Sequence, residues 1–154
     1  MRMLAAILLS LAALTVLAFG GGAALADQEK TRMFSVHPIG YVRKAEGKTR
    51  IVLDKAYQPG LLGLERLEEI WVLWWFDKND TPEKRAILQV HPRANPANPL
   101  TGVFATRAPL RPNLIALTKC RVVAVRDNVI EIESIDAFAG TPVLDIKRVI
   151  EAAD

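Results

Sequence analysis

One cysteine, two histidines and 6% aromatic residues in 154 positions are low counts, and each shortage removes a class of explanation. With Cys120 alone, no disulfide can close within the chain. One thiol and two imidazoles, His37 and His91, fall short of the usual ligand set of a zinc centre, so a metal-free chemistry is expected. Neither charge sign dominates: the formal net charge is +3 with 24% charged residues, which neither demands nor excludes an anionic partner. The chain has no G-x-G-x-x-G after a strand, no P-loop, no H-E-x-x-H and no G-x-S-x-G. These absences exclude the common dinucleotide, nucleotide, zinc-protease and serine-hydrolase scaffolds. Internal repeats and long stretches of helical period are missing too.

One long apolar run is present. Leu4 to Phe19 is nearly uninterrupted Leu, Ala, Ile and Val, with Arg2 before it and glycines and Ala24-Leu25-Ala26 after it. A positive start, an apolar stretch and small residues near a cleavage site make a secretory signal pattern. Residues 1–26 therefore read as a signal peptide cut after Ala26, leaving 128 residues that carry a net charge of +2 once Arg2 is removed. The expected location is outside the cytoplasm, periplasmic or secreted. Leu4 to Ala26 is also long enough to span a bilayer, which takes about 20 residues. An uncleaved membrane anchor is thus the alternative, and a misread leader on a cytoplasmic protein, with Met33 near the true start, is another.

The rest of the chain is a series of short apolar runs between turn residues, which is a β pattern. Strands are predicted over Val36 to Arg43, Thr49 to Asp54, Glu69 to Phe76, Ala86 to His91, Gly102 to Thr106, Ile115 to Val125 and Val129 to Ile135, with a shorter one over Val143 to Ile146. Val122 to Glu133 reads as a hairpin whose second strand has one wet face, since Ile130 and Ile132 alternate with Glu131 and Glu133. The stretch Ile70 to Phe76 is apolar on both faces, so its outer face needs cover from a second subunit or from the segment Tyr57 to Leu67. The expected fold is all-β, a small single-domain barrel with irregular loops and at most short helices, over residues 33–151. The long connections Asp77 to Lys84 and Pro92 to Pro99 are the cheapest places to build a cleft.

Two stretches stand out chemically. Gly102 to Asn113 leads into a loop stiffened by Pro109 and Pro112 and carrying Arg107, Arg111 and Asn113. Arginine forks suit a carboxylate or phosphate, and an asparagine amide both donates and accepts, as an adenine edge requires. The competing reading has Arg107 paired with an aspartate inside the protein. The second stretch, Ile135 to Lys147, is a tight turn followed by alternation that puts Asp145 and Lys147 on one face. Its turn amides and Thr141 can cradle a polar ligand, or Asp136 and Thr141 can merely cap the turn while Asp145 and Lys147 pair at the surface. His37 and His91 each adjoin a proline and can serve as a general base or as a capping or surface residue.

Pro38-Ile39-Gly40-Tyr41-Val42, Gly60 to Glu65, Ile70 to Leu73, His91-Pro92-Arg93, Gly102 to Asn113 and Gly140 to Lys147 together resemble the TsaA-like family, to which tRNA methyltransferase O belongs. The similarity runs from about Val36 to Ile150. The resemblance implies a homodimeric β-barrel that binds S-adenosylmethionine. It also implies methylation of N6 of threonylcarbamoyladenosine in tRNA. It places the cofactor pocket around Phe76 and Asp77, the loop with Arg107, Leu110, Arg111 and Asn113, and the turn Asp136, Ala137, Phe138, Ala139, Gly140 and Thr141. No catalytic side chain is implied, since methyl transfer needs chiefly alignment. Retention of Arg107, Arg111, Asn113, Asp136 and Lys147 fits an active enzyme. Asp77, Ala139 and the short Arg43 to Lys48 segment depart from the family pattern. They fit the alternative, an exported, catalytically inactive barrel binding a small polar ligand or a protein partner.

Overall fold

The computed structural model describes residues 33–150. The signal or anchor segment expected over residues 1–26 lies outside the described residues. Among the described residues eight strands form in order: β1 (Gly40–Ala45), β2 (Lys48–Leu53), β3 (Glu69–Trp75), β4 (Gln89–Val90), β5 (Thr101–Gly102), β6 (Ile115–Arg126), β7 (Val129–Ile132) and β8 (Pro142–Arg148). Six of them close into a barrel in the order β1-β2-β7-β6-β3-β8, while β4 and β5 make a separate two-stranded ribbon. Among the described residues the one α-helix, α1 (Pro82–Arg85), is short and starts on Thr81, whose hydroxyl caps the amide of Lys84. Among the described residues no helix is long and apolar enough to cross a membrane.

The barrel forms because its strands alternate. Val42, Ile51, Ile70, Val72, Ile130, Ile132 and Val143 point inward and are buried, and so small a barrel is filled by its own side chains. β1 and β2 are joined by Glu46 and Gly47, both at positive φ, the two-residue turn whose twist matches a hairpin. Gly40 is pressed against β2: a Cβ there would meet the Val52 carbonyl and lie 2.7 Å from the Leu53 Cα. Asn128, in the β6–β7 turn, clasps β2 by donating to the Leu53 carbonyl at 2.5 Å and accepting from the Leu53 amide at 2.9 Å.

Several expectations need correction. The strands predicted over Ala86 to His91 and Gly102 to Thr106 shrink to β4 and β5, outside the barrel. Ala86 and Ile87 still bond back to α1, and Val103–Ala105 coils into a 3-10 turn closed by Thr106. The first strand begins at Gly40 rather than Val36, past Pro38, which has no amide hydrogen to give a ladder. β7 stops at Ile132: the Glu133 amide still donates to the Arg121 carbonyl of β6, and the chain then departs into a loop. Lys55–Leu61 and Leu64–Arg66 are 3-10 turns whose Leu61 and Leu64 join the barrel core. The segment Tyr57 to Leu67 thus sends Leu61 and Leu64 into the core with Leu67 packed against it, leaves Leu62 exposed, and Trp71 and Leu73 on the outer face of β3 stay half-buried.

Candidate functional site

Antiparallel register brings the C-terminal end of β3 together with the starts of β6 and β8, since Trp75 lies opposite Ile115 and Trp74 opposite Val143. The loops before β6 and β8 therefore meet the end of β3 at one rim of the barrel. Three contacts tie this rim. The Phe76 amide donates to the Leu114 carbonyl at 2.8 Å, the Lys78 ammonium sits 3.9 Å from the Phe138 ring centroid, and Arg107 Nη1 donates to the Leu117 carbonyl at 3.4 Å.

At the centre is a relay of polar side chains. Trp74 Nε1 donates to Thr118 Oγ1 at 3.0 Å, and Thr118 Oγ1 donates to Asp136 Oδ1 at 2.6 Å. Trp74 is buried, and its ring meets Phe76 edge-on with centroids 4.7 Å apart, so the relay is anchored in the core. It holds one Asp136 oxygen and leaves the exposed carboxylate able to accept elsewhere. Below it, burial and then the Asp136 charge push the Cys120 thiol up to about 11. Cys120 is therefore a buried, protonated core residue rather than a reactive one.

The arginine loop is fixed by its own backbone. Arg111 Nη1 donates to the carbonyls of Ala108 at 3.3 Å and Thr106 at 3.5 Å, and Arg85 Nη1 reaches the Pro112 carbonyl at 2.8 Å. Arg85 also bonds Asp80 at 2.8 Å, and Asp80 accepts from Trp75 Nε1 at 3.1 Å. The hydrogen bond from Arg85 is the main reason the Asp80 carboxyl is held below its usual range. Among the described residues Arg107 makes no ion pair, so the internal aspartate partner expected as one alternative is absent, and its fork is exposed at the rim. Arg111, by contrast, has its guanidinium engaged in the loop.

The turn before β8 closes on β1. The Gly140 amide donates to the Val42 carbonyl at 2.8 Å, and the Val42 amide donates to the Thr141 carbonyl at 2.9 Å, with Gly140 at a φ of 87° that favours glycine. Ala137 and Thr141 are buried beneath this turn, while Phe138 is 63% exposed. Thus Phe76, Asp77, Arg107, Asn113, Asp136, Phe138, Ala139 and Gly140 share the rim, whereas Ala137 and Thr141 shape it from below. Leu110 lines a separate, mostly apolar groove of about 590 Å³ beside Val90 and His91. His91 Nδ1 lies 2.7 Å from the Asn98 carbonyl and thus has a structural partner. Lys147 pairs with Asp145 at 2.7 Å.

Sequence reasoning missed Trp74, Thr118 and Lys78. Thr118 is one hydroxyl in an alternating strand, and only its register opposite Val72 reveals that it faces inward. The exposed guanidinium, the carboxylate with a free oxygen, the asparagine amide and the aromatic face together suit a zwitterionic ligand with a flat ring.

Known proteins share this chain's sequence and fold. Residues 34–154 match the family described as tRNA-methyltransferase O N-terminal domain. A Pyrococcus horikoshii protein named "Probable S-adenosyl-L-methionine-binding protein" is 46% identical over 125 residues, covering 81% of this chain and 89% of that one. The human tRNA (adenine(37)-N6)-methyltransferase is 45% identical over 97 residues, 63% of this chain and 21% of its own length. The crystal structure of TrmO from Pseudomonas aeruginosa superposes with a TM-score of 0.61 at 28% identity. That match covers 80% of this chain and 58% of the solved one, so the chain spans little more than half of that protein. With most of its length matched, the chain belongs to the tRNA-methyltransferase O N-terminal domain family.

Proposed function

We propose that this protein binds S-adenosylmethionine at the barrel rim and methylates N6 of an adenine in tRNA, with threonylcarbamoyladenosine as the modified base. One observation carries the reading: an Arg107 fork with no ion-pair partner among the described residues and an Asp136 carboxylate, set by Thr118 and Trp74, share a rim with the exposed Phe138 ring. Arg107 would hold the ligand's carboxylate, Asp136 its ammonium or ribose hydroxyls, Asn113 the adenine edge and Phe138 a flat face. When bound, S-adenosylmethionine supplies an electrophilic methyl group on a sulfonium. The side chains position: Trp74 and Thr118 orient Asp136, and Arg85 and Arg111 stiffen the loop that carries Arg107 and Asn113. Such alignment is where most of the catalytic effect of methyl transfer arises.

The proposal includes a homodimer through the outer face of β3 and β6, where Trp71 and Leu73 are half-buried and Ile115 and Leu117 are about 40% exposed. It also requires the barrel to work where tRNA is, so the leader-like residues 1–26 would be retained or lost without export. The intact mass of protein recovered from the cytoplasm checks this, and a periplasmic species starting at Asp27 would count against it.

The direct test is calorimetric titration of the full chain with S-adenosylmethionine and S-adenosylhomocysteine, followed by transfer of a labelled methyl group to unfractionated tRNA. Micromolar binding, weakened at least about tenfold by Arg107→Ala or by Asp136→Asn, is expected from loss of one charge-assisted contact. Absence of binding by the folded protein would overturn the reading.

A further inference from the structure

The outer face of the β1–β2 hairpin and of β7 beside it carries cations at the wrong spacing for its own stability. Arg43 lies directly opposite Arg50 across the hairpin, an arrangement of like charges that destabilises a sheet. Arg50 lies in turn opposite Glu131. Glu131 is shared between Lys48 at 3.2 Å and Arg50 at 3.4 Å, so one carboxylate answers two cations, and Arg43 has no ion-pair partner among the described residues. Arg126, exposed at the end of β6, has none either.

These charges border a groove of about 530 Å³. Lys48, Arg50 and Arg126 stand along its walls with the carboxylates of Glu131 and Asp127, and Val123, Ala124 and Val129 contribute apolar surface. A register irregularity between Val122 and Ala124 accompanies a Val123 that is 57% exposed. At its upper end the strip reaches the proposed site: Thr49 pairs with Ile132 just before the Asp136 loop, and Lys44 Nζ donates to the Ile135 carbonyl at 2.9 Å. Tyr41, on the same outer face, is partly exposed with the Arg43 guanidinium 5.4 Å from its ring centroid.

We propose that this strip, formed by Arg43, Lys48, Arg50 and Arg126, is a docking track for the sugar-phosphate backbone of a structured RNA, leading it to the rim. The choice of RNA as partner rests on the methyltransferase reading, because the strip adjoins a rim proposed to act on a base. The physical case is independent of it. A row of four cations only partly offset by Glu131 and Asp127, on rigid strands, suits phosphates, an adjoining tyrosine ring suits a base or ribose, and a concave groove fits a chain better than a flat lipid surface.

The test uses the full-length protein and a fluorescently labelled RNA stem-loop, titrated by anisotropy at about 50 and about 200 mM salt. The triple substitution Arg43→Gln, Lys48→Gln, Arg50→Gln removes the charge but keeps the hairpin polar, and Arg126→Gln probes the far end without touching the hairpin. With the thermal midpoint as a folding control, the triple variant is expected to lose at least about tenfold in RNA affinity. Its dependence of log Kd on log salt should flatten by about 2 for the three cations, and Arg126→Gln should act in the same direction and less. S-adenosylmethionine titration should be unchanged in both. Unaltered RNA affinity and salt slope in the folded variants would overturn the proposal. So would a loss confined to binding of phosphatidylserine vesicles, which would assign the strip to a membrane. If the unsubstituted protein binds no S-adenosylmethionine while RNA binding still depends on the strip, the cofactor reading fails and the track stands.

Discussion

The barrel wall and the excursion over residues 77–114 sit side by side in one chain, yet different forces hold them. The wall buries Val42, Ile51, Ile70, Val72, Ile130 and Val143 completely, and its strands are paired in a closed ring. The excursion buries only Val103 and Leu114 among its apolar side chains and has one ladder of two residues per strand. It is shaped instead by side chains reaching backbone: Arg85 to Pro112, Asn98 to Pro92, Arg111 to Thr106 and Ala108. The lesson is a division of labour. A close-packed wall transmits strain and tolerates little change, whereas a polar-stapled loop can present Arg107 and Asn113 at modest energetic expense.

That contrast can be broken most severely in the wall. Gly40→Ala puts a methyl group against the backbone of Val52 and Leu53, which cannot swing away as a side chain would. A loss of about 3 kcal/mol and a thermal midpoint lower by about 10 °C are expected by calorimetry. Wild-type-like stability would show that β1 and β2 can separate without harm to the ring.

Cys120 reports on the same wall from inside. Its thiol pKa moves from 9.0 to about 11, so the thiolate population at pH 8 falls about 100-fold before steric shielding is counted. A maleimide reagent should label the native protein at least that much more slowly than the urea-unfolded chain, and rapid native labelling would reveal a wall that opens locally.

The excursion should respond more gently. Arg85→Ala removes the bonds to Asp80 and Pro112 and the guanidinium 5.3 Å from the Trp75 ring. Because the side chain is about one-third exposed, about 1 kcal/mol is expected. Hydrogen exchange should quicken over residues 77–114 and stay unchanged in β2 and β7. Exchange quickening throughout the barrel would instead make the two regions one cooperative unit.

The smallest effect concerns acid. Bonds from Arg85 hold Asp80 below its ordinary value, and those from Lys48 and Arg50 do the same for Glu131. A depressed folded-state value means that the stabilisation is complete above the ordinary carboxylate range. It is lost as pH falls below the ordinary carboxylate range and through the lowered folded value. Glu131→Gln should therefore lower the thermal midpoint slightly at pH 6 and leave it like wild type at about pH 3, which shrinks the fall between the two. An identical acid slope would mean that the Lys48 and Arg50 contacts carry no pH-dependent stability.

The same division explains what could be read from residues alone. Alternation marks any strand with one buried face, so β1, β2, β3, β6, β7 and β8 were legible to within a few residues, as was the all-β barrel they close. The motif around Arg107 to Asn113 and the turn at Gly140 were legible because backbone demands restrict residue choice there. Periodicity misled at Ala86 to His91 and Gly102 to Thr106, where local side-chain and turn bonds override β propensity. By itself, then, the sequence determined the barrel class, its inward-facing residues and the family resemblance, all of which depend on local pattern. Only the tertiary structure decided that Trp74, Thr118 and Asp136 form one relay, that Arg107 has no ion-pair partner among the described residues while Arg111 is engaged in its own loop, and that Arg43 faces Arg50. Those facts depend on strand register and on which loops meet at one end of a closed sheet, and neither is a property of any short stretch of chain.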